Sequence, residues 1–191
     1  MKIIILDRDG VINVDSALYI KSPAEWKPIE GSLEAIARLN QAGYRVVVAT
    51  NQSGIGRGLF DMASLNAVHA RMQRELAAVG GRVEAVFLCP HAPEDNCDCR
   101  KPRPGLFRQI GARFGVSLAD VPAAGNTLRH VTAAASAGCP AHLLLTGPLA
   151  GLASADVQAM PDLPPGTRVH ADLGAFADWL LSQPTAPKTP A

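Results

Sequence analysis

Short apolar runs alternate with segments of helical periodicity along most of this 191-residue chain. Ile3 to Leu6 is an uninterrupted apolar run, as is usual for a parallel strand that is buried on both faces. In the segment Met62 to Val79, by contrast, apolar residues recur every three or four positions until Gly80-Gly81 ends the pattern. Strands that alternate with helices predict βαβ units, and hence a three-layer α/β fold with a doubly wound parallel sheet.

The same patterns divide the chain into elements. We predict strands at 3–6, 46–49, 83–88, 121–124 and 142–145, and helices at 32–42, 62–79, 104–114, 128–137 and 173–181. Residues 147–166 are rich in Gly, Pro and Ala, and we expect them to form a long surface loop. The length suits one domain, which we place at residues 1–181, followed by a disordered tail at 182–191.

Charge and hydropathy argue against two classes of partner. A formal net charge of +1 gives no electrostatic attraction to nucleic acid. No segment approaches the roughly 18 consecutive apolar residues that a membrane helix needs, and the run before Asp7 is too short for a signal peptide. We therefore expect a cytoplasmic monomer whose partner is a small molecule. Cysteines stay reduced in the cytoplasm, so we expect metal ligands or buried thiols rather than disulfides.

Polar residues directly follow several predicted strands, at the edge of the sheet where ligands bind in this fold class. Asp7 and Asp9 follow the first strand and precede Gly10. One carboxylate can attack phosphorus to form an aspartyl-phosphate, and a second can act as general acid and base. Such a pair repels a phosphate dianion, so the site would need a cation such as Mg²⁺. Taken alone, however, the two acids are also typical of a solvated turn without function.

A second cluster combines two cysteine-containing motifs in one loop. Cys89-x-His91 and Cys97-x-Cys99 supply four ligands, which would close a tetrahedral, structural zinc site over residues 89–99. The alternative is a loop with free thiols. For three residues outside this loop we expect ordinary structural roles: Cys139, His69 and His142.

Three strings together resemble the motifs of the haloacid dehalogenase (HAD) superfamily. They are Leu6-Asp7-Arg8-Asp9-Gly10-Val11-Ile12-Asn13, Thr50-Asn51-Gln52-Ser53-Gly54-Ile55-Gly56-Arg57-Gly58 and Cys99-Arg100-Lys101-Pro102. Their combination is similar to the D-glycero-D-manno-heptose 1,7-bisphosphate phosphatases and the related histidinol-phosphatases. A dinucleotide-binding loop is a weaker interpretation of the glycines, because their spacing is not GxGxxG.

This resemblance implies a role for each matching residue. Asp7 would be the nucleophile, Asp9 the general acid and base, and Thr50 and Lys101 would stabilise the transferred phosphoryl group. Mg²⁺ would be bound by Asp7, by Asp9 through its carbonyl, and by residue 126, and Zn²⁺ by the loop 89–99. The implied substrate-binding residues are Asp7, Arg8, Asp9, Asp15, Thr50, Asn51, Gln52, Ser53, Arg100 and Lys101.

The fourth motif departs from the family pattern. The family has aspartates where this chain has Asn126 and His130, in the string Gly125-Asn126-Thr127-Leu128-Arg129-His130. An amide oxygen can still bind Mg²⁺, but losing one negative charge would cost on the order of 1–4 kcal/mol of metal affinity. We expect His130 to be a tolerated surface residue; the alternative is that it pairs with a carboxylate.

Two hypotheses follow for the activity. The chain is a Mg²⁺-dependent phosphatase with weakened metal binding, or it has lost turnover and binds phosphorylated ligands. Only residues 14–31 separate the first motif from the next helix, so we expect no large cap domain and an open site for a small sugar phosphate. The resemblance favours the 7-phosphate of heptose 1,7-bisphosphate, with histidinol phosphate second. In that loop, Tyr19 and Trp26 would either pack on the sugar or anchor the loop.

Overall fold

A parallel six-stranded sheet forms the centre of the computed structural model, which describes residues 1–184. Its strands are β1 (Lys2–Leu6), β2 (Tyr44–Asn51), β3 (Ala85–Cys89), β4 (Ala123–Gly125), β5 (Ala141–Leu144) and β6 (Arg168–His170). The order across the sheet is β3-β2-β1-β4-β5-β6, and every pairing is parallel. Strands β1 to β3 therefore form one half of the sheet and strands β4 to β6 the other, with β4 next to β1. In folds of this kind, ligands bind at the junction between β1 and β4.

Seven helices flank the sheet in the described residues. They are α1 (Ser32–Gln41), α2 (Ser53–Gly56), α3 (Met62–Ala78), α4 (Gly105–Phe114), α5 (Leu128–Ser136), α6 (Ser154–Gln158) and α7 (Leu173–Ser182). Helices α1, α3 and α7 cover one face, where Ile4 and Leu6 point, and α4 and α5 cover the face of Ile3 and Ile5. The predicted three-layer α/β architecture is confirmed. Within residues 1–184, no helix is both long and apolar enough to cross a membrane.

Helix boundaries follow the signals in the sequence. Asp61 caps α3, where its side chain accepts a hydrogen bond from the backbone amide of Ser64 at 2.7 Å. Thr127 caps α5 and Asp172 caps α7 in the same way. The predicted helices lie within one residue of those observed.

Three short elements were not predicted. Strand β6 and helices α2 and α6 have three to five residues, too few to show a hydrophobic period. The prediction of a long surface loop at 147–166 is therefore wrong in part: α6 lies inside this segment and buries Val157 completely. The predicted disordered tail at 182–191 starts within α7, at Ser182, and its residues 185–191 lie outside the described part of the chain.

The loop between β1 and α1 is anchored by one aromatic residue. Trp26 is fully buried, and the guanidinium of Arg71 lies 5.9 Å from its ring. Tyr19 instead lies at the surface of the sheet edge, with a φ of 65°, and packs on Phe60. Of the two alternatives for Trp26, the anchor is confirmed.

Candidate active site

A polar pocket of about 160 Å³ opens at the carboxyl ends of β1 and β2, beside the start of α5. Its walls come from segments that are far apart in the sequence. The lining residues are Asp7, Asp9, Asp15, Ser16, Tyr19, Ile20, Thr50, Asn51, Gln52, Lys101, Thr127 and Arg129. The structure thus brings together six of the predicted site residues besides Lys101: Asp7, Asp9, Asp15, Thr50, Asn51 and Gln52.

Asp7 lies at the base of this pocket. One carboxylate oxygen, Oδ1, accepts a hydrogen bond from the amide of Arg8 at 2.9 Å. The other, Oδ2, lies 2.6 Å from the Nζ of Lys101 and 3.3 Å from the Nδ1 of His130. Burial raises the pKa of the Asp7 carboxyl, but the Lys101 ammonium and the His130 ring outweigh it and hold that pKa well below its usual range. Asp7 is therefore ionised at neutral pH, as a nucleophile must be.

Lys101 is buried beneath the pocket, in contact with three polar groups. Its Nζ donates to the carbonyl of Ala49 at 2.8 Å and to Asp7, and it lies 3.0 Å from the Nδ1 of His130. Asn51 holds the backbone of Lys101 with two hydrogen bonds, each of 3.1 Å. Lys101 is consequently fixed against Asp7, and Asn51 on β2 holds its backbone in place.

Asp9 is held by polar side chains on both of its oxygens. The Arg8 guanidinium donates to Oδ1 at 2.8 Å and to Oδ2 at 3.1 Å, and Asn13 donates to Oδ1 at 2.9 Å. Gln52 donates one hydrogen bond to Asp9 Oδ2 and another to the hydroxyl of Thr50, both at 2.9 Å. Gln52 therefore ties Asp9 to Thr50 across the pocket.

Three predicted substrate contacts do not fit these positions. The Arg8 side chain is fully buried behind Asp9, where it also meets the Nε2 of His69 at 3.1 Å, so it cannot reach a ligand in the pocket. Ser53 is buried at the start of α2 and does not line the pocket. Arg100 faces the Cys-rich loop instead, where its Nη1 donates to the carbonyl of His91 at 3.3 Å.

His130 is buried, and the prediction of a surface position is wrong. Its ring packs edge-on against Phe107, with centroids 5.2 Å apart, and a Cβ on Gly125 would come within 2.4 Å of it. The first turn of α5 runs inward from the Thr127 cap, which carries the ring to Asp7 and Lys101. Burial and the Lys101 charge lower the pKa of His130 to about 4, so the ring is neutral at pH 7. The contact with Asp7 agrees with the second alternative for His130, in which it pairs with a carboxylate.

Asn126 is buried with both side-chain polar atoms unpartnered among the described residues. Its amide lies against Gly10, where an added Cβ would come within 2.0 Å of Nδ2; Gly10 also has a φ of 74°, so only glycine fits there. A buried amide oxygen without a partner costs free energy unless something else binds it. The Asp7 carboxylate nearby offers a second oxygen, and Mg²⁺ prefers such ligands, so the residues present fit the cation.

The ligand atoms of the four predicted zinc ligands form one cluster. Neighbouring ligand atoms of Cys89, His91, Cys97 and Cys99 lie 3.3 to 3.6 Å apart, and all lie within 4.8 Å of one another. Zinc bonds of about 2.0 and 2.3 Å arranged tetrahedrally separate their ligands by roughly 3.5 to 3.8 Å, so the cluster fits Zn²⁺ with little adjustment. Because Cys99 is two residues from Lys101, an ion here would fix the segment that carries the buried cation.

Four pocket residues were missed in the sequence: Ser16, Ile20, Thr127 and Arg129. The last two directly follow β4, and their position at a strand end was a usable signal. His130 was singled out for its departure from the family pattern, but no local pattern indicated its contacts with Asp7 and Lys101.

Comparison with known proteins gives close similarities over nearly the whole chain. The sequence profile of the polynucleotide kinase 3 phosphatase family matches residues 2–132. The D-glycero-beta-D-manno-heptose-1,7-bisphosphate 7-phosphatase of Bordetella bronchiseptica is 55% identical over 183 residues, covering 96% of this chain and 99% of that protein. The Pseudomonas aeruginosa protein of the same description is 49% identical, covering 94% and 97%.

A solved structure is equally similar. The crystal structure of the D,D-heptose 1.7-bisphosphate phosphatase from B. bronchiseptica, complexed with magnesium and phosphate, superposes with a TM-score of 0.89 at 56% identity. The match covers 95% of this chain and 98% of that one.

Proposed function

Because the chain belongs to the heptose-1,7-bisphosphate 7-phosphatase family of HAD phosphatases, we propose that it hydrolyses a sugar phosphate through an aspartyl-phosphate at Asp7. The substrate best supported is D-glycero-D-manno-heptose 1,7-bisphosphate, which would lose its 7-phosphate. The observation that carries the proposal is the ionised Asp7 at the base of the pocket, with Asp9 and Thr50 on its walls.

In the first step, a carboxylate oxygen of Asp7 attacks phosphorus and the ester oxygen leaves, taking a proton from Asp9. In the second, water attacks the phosphorus of the acyl phosphate, Asp9 accepts a proton from it, and Asp7 is released with inorganic phosphate. Gln52 orients Asp9 for both transfers through its hydrogen bond to Oδ2. Thr50 and Lys101 face the transferred group and offset its negative charge.

Mg²⁺, held by the Asp7 carboxylate, the Asp9 carbonyl and the Asn126 amide oxygen, would offset the repulsion between the acids and the phosphate dianion. With Asn126 in the place of an acid, we propose that the cation binds weakly. For the remaining features we propose a single domain over residues 1–181, a structural Zn²⁺ in the loop 89–99, and a monomer in the cytoplasm.

A second candidate function has specific support. Asn126 and His130 stand where the family pattern has acids, and neither brings a negative charge to the site. A site of this kind could bind phosphorylated ligands without turning them over.

Phosphate release from a panel of phosphomonoesters, including the heptose bisphosphate and histidinol phosphate, tests both candidates. The assay is run across a Mg²⁺ titration, with Asp7→Asn as the inactive control. Asp162→Asn serves as a matched control, because Asp162 is an exposed aspartate away from the pocket. Turnover that rises with Mg²⁺ and is lost only in Asp7→Asn supports the phosphatase. No turnover at saturating Mg²⁺, with binding of the same esters retained, supports the second candidate instead.

A further inference from the structure

Arg129 has no role in the proposed chemistry, yet its side chain lines the pocket. It lies in the first turn of α5, is exposed, and has no salt bridge or side-chain hydrogen bond to another residue within 1–184. A long cationic side chain with no partner breaks no ion pair or hydrogen bond when it turns toward a ligand. Its position on the wall of the polar pocket distinguishes it from the surface arginines of α4.

The other cations of the site are already engaged. Lys101 donates to Ala49, is paired with Asp7 and lies against His130, and the Arg8 guanidinium is buried against Asp9. Among the described residues that line the pocket, Arg129 is therefore the one cation free to bind an additional anion.

Asp15, in the loop between β1 and α1, lies on the rim of the same pocket as Arg129. Burial raises the pKa of its carboxyl, Asp9 and Asp7 raise it further, and Arg129 lowers it, which places the guanidinium within electrostatic reach across the pocket. Asp15 and Arg129 are exposed whereas Asp7 is buried, so a sugar substrate whose phosphate lies at Asp7 extends toward this rim.

We propose that Arg129 binds a second anionic group of the substrate and thereby selects doubly charged phosphomonoesters, such as bisphosphates, over monophosphates. A guanidinium presents paired N–H donors that match the oxygens of a phosphate. The inference rests on the proposed function for the scissile phosphate, but it concerns the other end of the molecule. It assigns a specificity-determining residue and leaves the reacting atoms unchanged.

The experiment compares heptose 1,7-bisphosphate with heptose 7-phosphate, using the full chain and three variants. Arg129→Gln should lower the preference for the bisphosphate by roughly tenfold to a hundredfold, through KM rather than kcat, since a hydrogen bond to a charged group is lost. Arg129→Lys should keep part of the preference, because the charge remains. Arg108→Gln, which removes an exposed arginine of α4 outside the pocket, should behave as the unaltered chain.

Binding of the two ligands is measured in parallel by calorimetry on the inactive Asp7→Asn variant, with and without Arg129→Gln, so that neither ligand is consumed. An equal affinity of Asp7→Asn for both ligands, or a preference that survives the addition of Arg129→Gln, overturns the inference even if the unaltered chain hydrolyses both. If neither ester is hydrolysed, the proposed function fails, while the calorimetric preference still decides the role of Arg129. High salt provides a further check, because screening should reduce the preference in the unaltered chain and leave Arg129→Gln unaffected.

Discussion

The Nζ of Lys101 lies 2.6 Å from the Oδ2 of Asp7, and both side chains are almost completely buried, with 3% and 11% of their surface exposed. Two charges removed from water in this way depend on each other, because neither has solvent to compensate it. The pair also joins the zinc loop to the first strand. Chemistry and folding stability therefore depend on the same contact.

Lys101→Met should abolish turnover and destabilise the fold. Methionine fills a similar volume but leaves the Asp7 carboxylate buried without its cation, which costs about 3–5 kcal/mol in the free energy of unfolding. Urea unfolding monitored by circular dichroism measures the loss. Lys2→Met, at the exposed start of β1, should change stability by less than about 1 kcal/mol, since surface charges contribute little. Similar stabilities for the two variants would show that the buried pair is not a stabilising contact.

Asn126→Asp should strengthen Mg²⁺ binding. The added carboxylate lies beside Asp7 and supplies a negative charge, for which we expect a gain on the order of tenfold to a thousandfold in affinity. Calorimetric titration of the chain with Mg²⁺ measures this directly, and the Mg²⁺ concentration at half-maximal activity measures it again. An unchanged affinity would mean that residue 126 does not contact the ion. His130→Asp is the companion variant, because it returns an acid to the second altered position.

Much of this site could be predicted, because its elements are local in the sequence. Asp7 and Asp9 follow an obvious strand, and the spacing of Cys89, His91, Cys97 and Cys99 suffices for a metal cluster. What the sequence could not give was the packing between segments. Nothing near His130 indicates that α5 turns it inward against Phe107, since the contact joins residues on two different helices.

Arg8 illustrates the same limit. A motif places it between two catalytic acids, which favours a substrate contact, but only the fold decides which way its side chain points. In the structure the guanidinium lies behind the pocket and pairs with Asp9.

Arg8→Met should therefore reduce stability as well as activity. It removes the buried partner of Asp9 and the donors to both of its oxygens, for a loss of about 3 kcal/mol. Arg45→Met is the matched control: its ion pair with Glu84, at 3.1 Å, is partly exposed and should contribute less than about 1 kcal/mol. Thermal and urea unfolding of both variants make the comparison. Equal losses would argue that burial of the Arg8–Asp9 pair has no special weight.

Cys97→Ser should release zinc and reduce activity together. A three-ligand site binds zinc far less tightly, and the loop has little apolar surface to hold Lys101 in place without the ion. Metal content by mass spectrometry should fall from one zinc per chain to nearly none. Cys139→Ser is the control, because Cys139 is buried away from the cluster and its loss should leave the zinc content at one. Full activity in a zinc-free Cys97→Ser protein would contradict the positioning role.

His142 should make stability depend on pH. Its Nδ1 lies 3.0 Å from the Nε2 of His170, among aromatic rings, and burial together with the charges of His170 and Arg168 lowers its pKa from 6.5 to about 3. Between these two values the unfolded chain binds a proton that the folded protein does not. The free energy of unfolding should consequently fall by about 1.4 kcal/mol for each pH unit below 6.5.

His142→Phe isolates this contribution. Phenylalanine keeps an aromatic ring against Phe176 and Trp179 but cannot be protonated. Urea unfolding of both proteins between pH 7 and 5 should show a shallower slope for the variant. Parallel slopes would mean that His142 titrates normally in the folded state.

The return of the chain past β1 has an evolutionary consequence. Strand β1 borders β2 on one side and β4 on the other, so the pocket lies at the junction between the two halves of the sheet. The first half carries Asp7 and the loop 89–99, and the second contributes Thr127 and Arg129 to the pocket wall, with Asn126 and His130 buried beside them. On the proposed function, a lineage could therefore change cation affinity and substrate charge by substitutions after β4, while the backbone that presents Asp7 is inherited unaltered.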